Sequence, residues 1–109
     1  MNKVIGTTNE LPVLKLGTHF NERANRFKDC TKNSKIEQIF VVERDGREQL
    51  FMLLNNCTII VVDKSIGRIV TVLNPREGQL KKLYQPLGME VPSYLIELAR
   101  TNNNGIYNA

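Results

Sequence analysis

The sequence predicts an α+β fold: an N-terminal helix, a four-stranded antiparallel β-meander, and one or two C-terminal helices. Three patterns carry this. Phe20, Ala24 and Phe27 recur at i, i+4, i+7, the spacing of one helix face. Residues 36–73 hold four short apolar runs separated by turn-forming residues. Beyond them, Leu80, Leu83, Tyr84 and Leu87 return to helical spacing after Asn74-Pro75.

Taken in order, residues 1–12 read as an irregular arm ending in Pro12, and Val13-Leu14-Lys15-Leu16 as a short edge strand or extended lead-in. Gly17-Thr18 supplies a break and an N-cap, and Glu22 suits the positive end of the following helix. That helix ends around Cys30–Ser34, where Cys-Thr-Lys-Asn-Ser is poor in helix formers. The first two strands are Ile36–Glu43 and Glu48–Leu54, joined through Asp45-Gly46, the signature of a type I′ hairpin. This register sets Val41 opposite Leu50 and Phe40 opposite Phe51. Asn55-Asn56-Cys57 turns the chain into a second hairpin, Thr58–Val62 and Arg68–Leu73. The strands are apolar on both faces, so both faces need cover. The N-terminal helix is assigned to one face and the C-terminal helices to the other face or the edge. Asn74-Pro75-Arg76-Glu77 reads as an N-cap with Pro at the first helical position. Pro86 and Gly88 close that helix, a second runs from about Ser93 to Arg100, and the Asn-rich residues 101–109 form a flexible tail. Residues 13–100 thus make a single domain.

With 109 residues, 41% of them hydrophobic and 24% charged, the chain has the composition of a globular protein large enough for its own core. No apolar run approaches the roughly 20 residues of a membrane span, and residues 1–11 lack the apolar centre of a signal peptide. The expectation is a cytoplasmic protein, monomeric or homodimeric. Cys30 and Cys57 have neither C-x-x-C spacing nor nearby histidines, so no metal and no cofactor is expected. A net charge of +4 favours polyanionic partners without establishing them.

One constellation carries chemistry. His19, the only histidine, shares a helical stripe with Arg23 and Arg26 beside the apolar one. Thr71 is the lone hydroxyl within the last apolar strand, on the same face as Ile69 and Leu73 by strict alternation. If the first helix packs on that face, His19 and Thr71 converge. The same residues also suit an ordinary solvated helix edge and an ordinary strand.

Thr18-His19-x-x-x-Arg23-x-x-Arg26, the strand meander and Ile69-Val70-Thr71-Val72 resemble small phage and bacterial proteins of the barnase–EndoU–colicin–RelE superfamily of metal-independent RNases, over residues 17–73. The resemblance implies a toxin-like endoribonuclease that attacks the phosphate with the RNA 2′-hydroxyl. It assigns His19 as general base or acid, Arg23 and Arg26 to the phosphorane and substrate, Thr71 to positioning the phosphate, and Lys64 as a further substrate-binding cation. The absence of a second histidine leaves Glu43, Glu48, Tyr84 or solvent as the other proton-transfer group. The alternative is a non-catalytic phage protein that binds a host protein or cognate antitoxin, or binds nucleic acid without cleavage. Residues 75–100 lie outside the matched pattern and suit a partner surface.

Overall fold

A computed structural model describes residues 2–11 and 35–105. Among these, five strands form one sheet: β1 (Asn2–Thr7), β2 (Ile36–Arg44), β3 (Arg47–Leu54), β4 (Ile59–Asp63) and β5 (Arg68–Leu73). They lie in the order β1-β2-β3-β4-β5, every neighbour antiparallel. Two helices follow, α1 (Glu77–Tyr84) and α2 (Ser93–Gly105), linked through a 3₁₀ turn at Gln85–Leu87.

The expected architecture, a helix leading into a four-stranded meander, is corrected on two points. The sheet has a fifth strand, and among the described residues no helix precedes the strands. What was read as an irregular arm is β1, with only Val4 and Ile5 to mark it as a strand. It forms because β2 offers it a ladder: Asn2, Lys3 and Val4 pair with Arg44, Glu43 and Val42 before a bulge at Ile5 shifts the register to Gly6 and Val41. Pairing with an existing sheet outweighs weak intrinsic propensity. The helix expected from Thr18, and the segment Val13–Leu16, lie outside the described residues.

The meander follows the sequence closely. Asp45 and Gly46 both take positive φ, +52° and +79°, as a type I′ turn requires. Phe40 faces Phe51 and Val41 faces Leu50. At the second hairpin Asp63 organises the turn: its Oδ1 accepts from the Ser65 amide at 3.0 Å and the Ser65 hydroxyl at 2.7 Å.

Alternation along the strands makes two buried layers. On one face Phe40, Val42, Leu53, Ile59 and Val61 pack with Leu80, Leu83, Tyr84, Leu95 and Ala99 of the helices. On the other Ile39, Leu50, Met52, Leu54, Ile60 and Val62 form a second cluster. The centre of the first is an edge-to-face pair of the Phe40 and Tyr84 rings, 4.9 Å between centroids.

Helix α1 begins two residues later than its sequence suggested. Arg76, not Asn74, is the N-cap; its N–H donates to Gln79 Oε1 at 2.8 Å, while Pro75 is buried ahead of the helix. Gly88, at φ +70°, closes the 3₁₀ turn. Polar ties fix the helices in place. Arg100 Nη2 meets Glu77 Oε1 at 2.7 Å, joining α2 to α1. The Tyr94 hydroxyl donates to Glu37 Oε2 at 2.6 Å, joining α2 to β2. Helix α2 continues past Arg100 to Gly105.

Candidate functional site

A β-bulge decides where Thr71 faces. In the β4–β5 ladder Thr71 pairs with Val61, but the next pair is Ile69 with Val62, so Val70 is an extra residue. Ile69 therefore joins Val72 in the second cluster, while Leu73 packs with the helix-side cluster. The expectation that Ile69 shares a face with Thr71 is corrected here: strict alternation fails at the inserted residue.

Thr71 and Val70 line a hollow of about 430 Å³ between the helix-side face of the sheet and α1. That size falls within the roughly 300–1,000 Å³ of small-molecule sites. The element facing Thr71 across the hollow is the C-terminal helix α1, through Gln79, Lys82 and Leu83, with Pro75 at its approach. The convergence of His19 with Thr71 requires the N-terminal helix to pack on this face, and that helix lies outside the described residues.

The floor is apolar, built from Val42, Phe51, Ile59 and Val61 of the central strands and Val4 of β1. Five polar residues interrupt it: Arg44, Gln49, Thr71, Gln79 and Lys82. Arg44 lies two residues beyond Val42, and Gln49 two residues before Phe51, so alternation sets both on the hollow's face. Among the described residues no carboxylate lines the hollow. Among the described residues neither Arg44 nor Lys82 forms an ion pair, whereas Lys64, Lys81 and Arg100 all do. The hollow thus offers two cations with no ion-pair partner among the described residues, a hydroxyl and two amides above an apolar base. Such a surface suits a ligand with an anionic group and a flat or apolar body.

Of the sequence-selected residues, Thr71 is in the hollow. Lys64 is not among its lining; it sits in the β4–β5 turn, its Nζ 3.0 Å from Glu48 Oε2. His19, Arg23 and Arg26 lie outside the described residues. The three residues named for the second proton transfer do not line the hollow either. Glu48 is held by Lys64, Glu43 stands beside Lys3 on the β1–β2 ladder, and Tyr84 is buried against Phe40. Burial, with Glu37 nearby, pushes Tyr84 up to about 12, so it stays protonated at neutral pH.

The sequence places Arg44 in the turn Arg44-Asp45-Gly46-Arg47, and Lys82, with Arg76 and Lys81, reads as a solvated helix edge or an extension of a polyanion track. Lys82 had a legible signal, lying three residues beyond Gln79 and next to buried Leu83. Arg44 shares the parity of Phe40 and Val42 along β2, a signal that gives its face but not what stands opposite it. The remaining thiol is structural. Cys57 adopts φ +64°, its Sγ lies 3.6 Å from the Leu95 carbonyl oxygen that accepts from it, and burial raises its pKa to about 11. Among the described residues no group of three His, Cys, Asp or Glu side chains is placed to hold a metal ion, and no helix is long and apolar enough to cross a membrane.

The chain matches no protein-family model, no curated protein and no solved structure.

Proposed function

We propose that this protein is RNA-directed and that the hollow beneath α1 is where it recognises the phosphate-bearing strand. One observation carries the reading: Thr71 shares a single concave surface with Arg44 and Lys82, two cations with no carboxylate partner among the described residues. A guanidinium and an ammonium neutralise a phosphodiester, and a hydroxyl adds a donor that fixes its orientation. The RNase resemblance of residues 17–73 supplies the polymer.

In the cleaving form of this reading, a base removes the 2′-hydroxyl proton, the 2′-oxygen bonds to phosphorus, and the bond to the 5′-oxygen breaks as that oxygen gains a proton. The products are a 2′,3′-cyclic phosphate and a 5′-hydroxyl. His19 is the residue assigned to proton transfer, with Arg23 and Arg26 on the phosphorane charge. A second reading is binding without cleavage, supported by the presence of Arg44, Lys82 and Thr71, side chains that bind a phosphate, in the hollow's lining.

Incubating a short single-stranded RNA with wild type, His19→Ala and Thr71→Val in excess chelator separates the two. Cyclic-phosphate ends from wild type and none from His19→Ala support cleavage. Binding without new ends supports the second reading. Absence of RNA binding at low salt overturns both.

A further inference from the structure

We infer that the hollow holds a nucleobase, so that the ligand is an unpaired nucleotide rather than the backbone of a duplex. This rests on the RNA-directed reading and goes further, because cations alone would serve any polyanion. The floor is what a phosphate does not need: half-buried Phe51, with Val4 and Leu73 beside it, presents an apolar surface that includes an aromatic ring. A flat heteroaromatic base covers such a floor by stacking and apolar contact.

The two amides exclude the simplest competitor, an aliphatic acid. An acyl chain would cover the floor but leave the Gln49 amide and the Gln79 NH₂ beside it without hydrogen-bond partners, which is costly when water is displaced. A base edge offers donors and acceptors to both. Gln79 is prepared for this, since its Oε1 already accepts from the Arg76 N–H at 2.8 Å. That bond fixes the carboxamide and leaves its NH₂ to donate to a base carbonyl or ring nitrogen. The Gln49 side chain, half-buried on β3, makes no hydrogen bond to another described residue. With the base on the floor, Arg44 and Lys82 remain for the phosphate. A base paired in a duplex has its edge occupied and its faces stacked, so only single-stranded RNA or a free nucleotide fits.

The test is calorimetric titration of the full chain with uridine and guanosine monophosphates, ribose 5-phosphate, inorganic phosphate and decanoate. The variants are Gln49→Leu, which removes an amide, and Val70→Phe, which fills the hollow from an exposed position. A nucleotide is expected to bind about tenfold or more tightly than ribose 5-phosphate. Both variants should erase that advantage while leaving the weak affinity for ribose 5-phosphate, with unchanged circular dichroism. Equal affinity for nucleotides and ribose 5-phosphate overturns the base pocket but leaves the RNA-directed reading standing. Tighter binding of decanoate than of either nucleotide overturns it in favour of an aliphatic acid. No binding of any phosphate compound removes both proposals.

Discussion

Thr71 stands opposite Val61 in the β4–β5 ladder, and the next pair, Ile69 with Val62, skips Val70. The inserted residue puts Val70 beside Thr71 in the lining of the hollow and leaves Ile69 with the other face. The strand therefore sets Thr71 in the same hollow as Gln79 and Lys82 of α1.

Replacing Thr71 with Val keeps the branched shape and removes the hydroxyl. Since Thr71 is half-buried at the rim of the hollow, folding stability should change by less than about 1 kcal/mol. RNA affinity should fall about ten- to a hundredfold, the loss of one hydrogen bond to a charged group. Urea unfolding and fluorescence anisotropy measure the two separately.

The helix-side core depends on Phe40, which is fully buried against Tyr84. Phe40→Ala should cost about 3–5 kcal/mol, because it removes transfer energy and leaves a cavity among Leu80, Leu83 and Leu95. Urea denaturation followed by circular dichroism gives the value. A cost under about 1 kcal/mol would mean the two layers are not packed as described.

Three groups make the fold sensitive to alkali. Burial raises Cys57 from 9.0 to about 11 and Tyr84 from 10.0 to about 12; burial together with the hydrogen bond to Glu37 does the same for Tyr94. A raised value in the folded state means that the neutral form is the one the fold stabilises. Their contribution is complete below the unfolded values and is lost as pH climbs through the folded ones. Stability should be level up to about pH 9 and decline between 9 and 12. Tyr94→Phe should flatten part of that decline. Thermal melts across this range are the check.

On the acid side the sign reverses. The Arg100 hydrogen bond holds Glu77 below the usual carboxylate range, and the Ser65 hydroxyl does the same for Asp63. The folded state favours both charged forms, so their contribution is present above the unfolded pKa and disappears as pH falls through the lowered folded value. Ser65→Ala should bring the Asp63 carboxyl back toward its ordinary value, and Arg100→Ala should do so for Glu77. Carboxyl titration by NMR reads both.

The meander was legible because local chemistry dictates it. Asp45-Gly46 can take positive φ twice in succession, and once that turn is set, Phe40 must meet Phe51. The C-terminal helices announced themselves through Leu80, Leu83 and Tyr84, although Pro75 went into the core instead of the first helical turn. Strand β1 did not announce itself: two apolar residues and a glycine pair only because β2 is already there. The site was half legible for a related reason. A lone hydroxyl in an apolar strand marked Thr71, and alternation with Val42 gave the face of Arg44, whereas the bulge at Val70 depends on strand pairing, which no local pattern encodes. His19, Arg23 and Arg26, the other half of the expected site, lie outside the described residues.

The most direct test of the RNA-directed hollow is the affinity of a short single-stranded RNA for wild type and for the Arg44→Glu, Lys82→Glu double variant, measured over a salt series. Both positions are exposed, so the fold should be retained. Wild type should bind with a steep decline as salt rises, and the double variant should bind at least about a hundredfold more weakly with a shallower slope. Equal affinities and equal slopes for the two proteins would contradict the assignment of RNA recognition to this surface.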